Sequence, residues 1–183
     1  MKKTIFITGA TSGIGKATAE IFAKQGHRLI ICGRRKEVLD NLQIQLSNFT
    51  DVYSLVFDVR NQQEVQNAIN SLPEDWKNID VLVNNAGNAH GLEPISDANI
   101  SDWDAMMDGN VKGLLYVSQP IIKLMKANNS GHIVNISSVA ARQTYANGTV
   151  YCASKKAVDV ISEGMRLELT EFGIKVTNVQ PGA

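Results

Sequence analysis

Tyr151 and Lys155 stand four residues apart in a stretch, 150–171, where Val158, Ile161, Met165 and Leu169 recur at helical spacing. Four residues make about one helical turn, so the phenol and the ammonium share a face. A free tyrosine has a pKa near about 10, too high to release its proton readily at neutral pH. A neighbouring ammonium favours the phenolate and brings the group toward a working range. The pair is therefore a device for passing a proton to or from a substrate oxygen. Taken alone, the same spacing also describes two surface residues one turn apart.

A second constellation lies at the other end of the chain. Residues 4–7, Thr-Ile-Phe-Ile, read as a short strand and 16–24 as a helix. Between them runs Thr8-Gly9-Ala10-Thr11-Ser12-Gly13-Ile14-Gly15. Strand, glycine turn and helix N-terminus together make a phosphate site. The first backbone N–H groups of a helix have no internal partner, and the helix dipole adds positive charge there. Glycine lets the backbone turn sharply and approach a pyrophosphate. The spacing, G-x-x-x-G-x-G, departs from the common G-x-G-x-x-G fingerprint. Ser12 has no histidine or other base beside it in the sequence, so it is a ligand contact and not a nucleophile.

These groups need a scaffold, and the hydrophobic pattern supplies one. Strand-like runs at 4–7, 27–32, 52–57, 79–83, 132–136 and 174–179 alternate with helical stripes at 16–24, 36–47, 62–72, 101–127 and 150–171. Ser101 is the expected N-cap of the fourth helix, and Pro120 the expected kink or break in it. Near-continuous β-branched strands separated by amphipathic helices predict an α/β fold, a doubly wound parallel sheet of the Rossmann-like kind. Ligands bind such sheets beyond the carboxyl ends of the strands. Polar clusters follow every predicted strand: Thr8–Gly15, Gly33-Arg34-Arg35, Asp58, Asn84–Gly87, Ser137-Ser138 and Pro181-Gly182. Six on one rim describe a cleft.

Composition narrows the function classes. The 183 residues fit one domain, 1–183, with 44% hydrophobic residues to build a core. Lys+Arg and Asp+Glu number 18 each, so no basic excess favours nucleic acid or an anionic membrane. The lysines at 2 and 3 precede an apolar run too short for a signal peptide, and no stretch approaches a membrane span. Cys32 and Cys152 form no C-x-x-C pair, which suits a cytoplasmic protein, and Cys152 is expected to pack in the core. His27, His90 and His132 lack metal-ligand spacing, so no metal is expected; His90 is a candidate for the cleft wall.

Gly9-x-x-x-Gly13-x-Gly15, Asn84-Asn85-Ala86-Gly87, Asn110, Ser138, Tyr151-x-x-x-Lys155 and Pro181-Gly182 occur in the order found in the short-chain dehydrogenase/reductase family. The resemblance covers essentially the whole chain. It implies that Tyr151 is the general acid/base, that Ser138 hydrogen-bonds the substrate oxygen, and that Lys155 holds the nicotinamide ribose and lowers the tyrosine pKa. Asn110 would position a water leading from the lysine to solvent. Cofactor contacts implied are Gly9, Thr11, Ser12, Gly13, Ile14, Gly15, Arg34, Arg35, Asp58, Val59, Asn85, Ala86, Gly87, Tyr151, Lys155, Pro181 and Gly182. Chemistry alone does not choose Ser138 over Ser137; the family's serine-to-tyrosine spacing does.

The end of the second strand indicates which nicotinamide cofactor. An acidic residue there would take the ribose hydroxyls of NAD. Gly33 stands in its place, followed by two arginines suited to the 2′-phosphate of NADP. Arg34→Ala is accordingly expected to weaken NADP binding, and Gly33→Asp added to it to raise affinity for NAD. Residues 71–80 and 91–103 resemble the NADP-dependent 3-hydroxy acid (serine or allo-threonine) dehydrogenases, which implies oxidation of the β-hydroxyl of a short hydroxy acid. The alternatives are a 3-oxoacyl-carrier reductase or other carbonyl reductase, and a catalytically silent NADP-binding regulator. The resemblance also implies a homodimer or homotetramer through the two long helices. The sequence ends after strand six, where the family continues into a substrate-covering segment and a final strand.

Overall fold

The computed structural model describes residues 2–182. Strands and helices alternate as β1 (Thr4–Ile7), α1 (Gly13–Lys24), β2 (Arg28–Gly33), α2 (Lys36–Leu46), β3 (Val52–Val56), α3 (Gln62–Asn70) and β4 (Val81–Asn84). There follow α4 (Ile100–Met107), a π turn (Asp108–Lys112), α5 (Gly113–Ala127), β5 (Gly131–Ile136), α6 (Thr149–Leu169) and β6 (Ile174–Val179). The strands form one parallel sheet in the order β3-β2-β1-β4-β5-β6. The order reverses between β1 and β4, which opens a crevice at their carboxyl ends. This is the doubly wound arrangement expected from the alternation.

The central strands β1 and β2 are buried on both faces because helices cover both. Successive side chains of a strand point to opposite faces. Ile5, Ile7, Leu29 and Ile31 therefore pack with Ala19, Ala23, Leu39 and Leu42 under α1 and α2. Phe6, Ile30, Leu82 and Ile133 pack with Val65, Val117, Ile121 and Val158 under α3, α5 and α6. Among the described residues no helix is long and apolar enough to cross a membrane.

Two local expectations change. The fourth helix begins at Ile100, capped by Asn99, whose Oδ1 accepts from Ser101 N at 3.0 Å. Asn and Ser cap comparably well, so sequence alone does not separate the two. Pro120 lies inside α5 and does not divide it; the irregularity falls at Asp108–Lys112. The π turn widens the backbone ring by one residue, a device frequent at functional sites.

Buried polar side chains tie the layers together near the rim. Asn84 and Asn135 face each other across β4 and β5. Asn84 Nδ2 donates to Ser118 Oγ and to Asn135 Oδ1, both at 2.9 Å. Asn135 Nδ2 donates to Ser162 Oγ at 2.9 Å. One network thus joins α5, β4, β5 and α6 in an otherwise apolar interior, where each donor is costly to leave unpaired.

Asp159, one turn beyond Lys155 on α6, makes a second tie. Its Oδ1 accepts from Ser137 Oγ and Asn178 Nδ2 at 2.7 Å, and its Oδ2 accepts from Gln180 Nε2 at 2.7 Å. It thereby gathers the exits of β5 and β6 onto one helix. Partial burial pushes its carboxyl up, but the three donors outweigh that and hold it below the usual carboxylate range.

Two stability measurements follow. Asn135→Ala removes one of the two acceptors of the Asn84 amide, and with it the bond to Ser162, and should lower the urea-extrapolated unfolding free energy by about 1–3 kcal/mol. An unchanged unfolding midpoint would contradict the network's role. For Asp159 the folded pKa lies below the unfolded one. Its contribution is therefore complete above the unfolded value of about 3.9 and fades as pH falls through the folded value. The stability gap between wild type and Asp159→Ala should be flat from neutral pH down to about pH 5 and shrink in more acid solution. A gap that widens on acidification would contradict the assignment.

Candidate active site

The glycine turn has the shape its residues require. Gly9 and Gly13 have φ of 64° and 53°, left-handed values that glycine adopts without strain. Gly15 is excluded from substitution by crowding instead: a Cβ there would collide with Asn85 Nδ2 and the carbonyl oxygen of Gly9. Ser12 occupies the N-cap position with extended backbone, yet its side chain makes no capping bond. The first intrahelical bond runs from Lys16 N to Ser12 O at 3.2 Å. The N–H groups of Gly13, Ile14 and Gly15 thus have no helical partner, and no acidic residue sits in the first turn. The positive end of the helix is thus left bare, as an anion site requires.

β4 delivers the residues that hold the turn. Asn85 Nδ2 donates to Thr8 O at 3.0 Å and Gly9 O at 3.1 Å. Thr8 Oγ1 in return accepts from Asn85 N and Ala86 N, both at 3.0 Å. Asn85 therefore acts directly on the loop.

β2 and β3 furnish the basic end. Arg35 Nη2 donates to Thr11 Oγ1 at 2.9 Å, and Arg34 Nη1 approaches Asp58 Oδ2 at 3.4 Å. Gly33 is forced by packing: a Cβ there would lie 2.7 Å from the Thr11 methyl. A residue with a side chain at Gly33 therefore requires the Thr11 side chain to shift.

The opposite wall comes from β5 and α6. Ser137 and Ser138 both line the cleft; Ser137 is buried and its hydroxyl donates to Asp159, whereas Ser138 is half-buried and its Oγ accepts from Ala140 N at 3.1 Å. Lys155 is 7% exposed, and its Nζ donates to Ile136 O at 3.0 Å. Burial pulls its pKa down from the ordinary lysine value. The ammonium lies 5.9 Å from the centroid of the Tyr151 ring. Asn110, buried in the π turn, accepts from Asn88 N at 2.8 Å and donates to Asn88 O and Ser154 Oγ at 2.9 Å. It joins the strand β4 exit to α6, just behind Gly87.

These elements enclose one open cleft of about 540 Å³ along the rim. Every expected cofactor contact lines it except Gly15, which stands behind the glycine turn. Ser138, Tyr151 and Lys155 line it too, while Asn110 does not. His90 borders a smaller recess that shares Tyr151 as a wall, along with Asp102 and Trp103. Cys152 is buried, and Cys32 is buried at the cleft floor, where desolvation pushes its thiol up and keeps it protonated. Among the described residues no group of three histidine, cysteine or acidic side chains could hold a metal.

Three side chains that the motifs did not single out belong to this rim: Arg60, Asn88 and Asp159. Arg60 follows Asp58 by two residues, and Asp159 follows Lys155 by one turn, so both spacings offered a signal. Asn88 offered none, because its main chain is what Asn110 holds.

The family model for short chain dehydrogenase matches residues 3–183. The NADP-dependent 3-hydroxy acid dehydrogenase YdfG of Escherichia coli strain K12 is 42% identical over 178 residues, covering 97% of this chain and 71% of the relative. Sulfoacetaldehyde reductase 2 of Chromohalobacter salexigens is 41% identical over 183 residues, all of this chain and 73% of its own. Among solved structures, the closed form of serine dehydrogenase complexed with NADP+ superposes with a TM-score of 0.93 at 41% identity, over 98% of this chain and 71% of the other. The chain belongs to the short-chain dehydrogenase family.

Proposed function

We propose that the protein is an NADP-dependent oxidoreductase that interconverts the β-hydroxyl and carbonyl of a short hydroxy acid. The observation that carries this reading is the placement of the Tyr151–Lys155 pair and Ser138 on one cleft with the bare α1 N-terminus. The residues fit the cofactor. The unpartnered N–H groups suit a diphosphate, the missing Cβ atoms at Gly9 and Gly15 let the turn pack against Asn85 and Ala86, and Arg34 and Arg35 suit a 2′-phosphate.

Bound in this cleft, NADP+ supplies the acceptor for the hydride that leaves the alcohol carbon. The protein's work is to move the accompanying proton. Tyr151, as phenolate, takes the proton from the substrate hydroxyl; in the reverse direction the phenol returns it to the carbonyl oxygen. Lys155, anchored to Ile136 O, holds its ammonium on the same helix face as the phenol and would take the nicotinamide ribose. Ser138 steadies the substrate oxygen from a hydroxyl already oriented by its bond to Ala140 N. Asn110 holds the β4 exit against α6 and serves that lysine by positioning, with the water route to solvent as its further role.

Support for a small acidic substrate comes from the names of the relatives, a 3-hydroxy acid dehydrogenase and a sulfoacetaldehyde reductase. A dimer or tetramer fits the exposed Leu115, Val160 and Leu167 on α5 and α6.

The test is a coupled pair of assays. With NADP, a β-hydroxy amino or carboxylic acid should be oxidised faster than a carrier-bound hydroxyacyl thioester, and Tyr151→Phe should lose about a hundredfold to ten-thousandfold in kcat with NADP binding retained. Preference for the thioester would move the substrate to the fatty-acyl class. Retained turnover in Tyr151→Phe would remove the proton-transfer role, and no turnover with any hydroxy acid or thioester would favour a silent NADP-binding regulator.

A further inference from the structure

Asp58 is the acidic side chain among the described residues that line the cleft, and it lies at the basic end. A carboxylate there works against a 2′-phosphate in two ways. It repels the phosphate charge, and it competes for the guanidinium that the phosphate needs. The structure shows how that competition stands. Arg34 Nη1 reaches Asp58 Oδ2 only at 3.4 Å, with the arginine side chain 63% exposed. Arg60 grips both carboxylate oxygens: Nε lies 3.1 Å from Oδ1 and 3.0 Å from Oδ2, and Nη2 lies 2.7 Å from Oδ2. The backbone N–H of Arg60 adds a bond to Oδ1 at 3.0 Å. Burial pushes the Asp58 carboxyl up, but these Arg60 contacts, with Arg34 behind them, outweigh it and hold the group ionised.

The surroundings leave Arg60 for this task. Asp108, whose charge also acts on Arg60, is paired with Lys112 at 2.7 Å. Glu64 is engaged by Asp58 N at 3.0 Å and Asn61 Nδ2 at 2.9 Å. A planar guanidinium meeting two carboxylate oxygens is the geometry that arginine holds best and lysine cannot reproduce.

We infer that Arg60 is a positioning residue for cofactor choice: by occupying Asp58 it cancels that charge and leaves Arg34 free for the 2′-phosphate of NADP. The inference rests on the NADP reading above and extends it to a residue that acts through Asp58 and not by touching the phosphate. Removing Arg60 leaves Asp58 to draw Arg34 inward and to repel the phosphate. NAD carries no such phosphate, so its affinity should hardly move.

The test is a charge cycle read by calorimetry, independent of any substrate. Dissociation constants for NADP and NAD are measured for wild type, Arg60→Gln, Asp58→Asn and the double variant. The NADP-over-NAD preference cancels whatever Asp58 contributes to the adenine common to both. Arg60→Gln should cut that preference about tenfold, the scale of one charge-assisted contact, through weaker NADP binding. The same change made in Asp58→Asn should alter it by less than about twofold, because the carboxylate to be neutralised is gone. Arg60→Lys, which keeps the charge but loses the two-oxygen grip, should fall between and serves if Arg60→Gln does not fold. An unchanged preference in Arg60→Gln, or an equal loss in the Asp58→Asn background, overturns the inference while leaving the cofactor reading in place. A wild type with no preference for NADP overturns both.

Discussion

The side-chain amide of Asn85 donates at once to Thr8 O and Gly9 O, and the hydroxyl of Thr8 takes the backbone N–H groups of Asn85 and Ala86 in return. That reciprocal clamp joins the exits of β1 and β4 at the place where the strand order reverses. Gly15 has no Cβ because this amide and the Gly9 carbonyl occupy the space. With the turn pinned, the first N–H groups of α1 lie open at the centre of the rim and are not folded back onto a cap. The arginines at one end and the tyrosine–lysine pair at the other are then arranged along a common cleft.

A parallel sheet covered on both faces concentrates its polar chemistry at the strand ends, since polar groups elsewhere would be buried without partners. Where polar side chains do enter the interior, they bond to each other. Asn84, Ser118, Asn135 and Ser162 form such a chain directly beneath the site, and Asp159 draws in Ser137, Asn178 and Gln180 beside it. Lys155 is the exception: burial depresses its pKa, and one carbonyl, Ile136 O, holds its ammonium. A polar floor of this kind ties the side chains of the candidate site to the sheet and to α6.

Much of this was legible because the strands read as unbroken β-branched runs, each followed by a conspicuous polar cluster. The alternation predicted the doubly wound sheet, and the glycine spacing predicted a bare helix start. What stayed hidden depends on pairing across the fold. Nothing local distinguishes Asn99 from Ser101 as the cap, and a π turn at Asp108–Lys112 has no sequence signature comparable to Pro120. Gly33 reads as a missing carboxylate; a Cβ there would also crowd the Thr11 methyl, which no local pattern reveals. Arg60 looks like a solvated charge until Asp58 is seen inside its grip.

The central claim is that the unpartnered N–H groups opening α1 hold the cofactor diphosphate. Backbone amide resonances of the isotopically labelled chain, followed during titration with NADP, test it most directly. The account predicts that the amides of Gly13, Ile14 and Gly15 move most among those of α1, saturating together with the side-chain signals of Arg34. Saturable binding that leaves those three amides unmoved while shifting residues remote from the rim would contradict it.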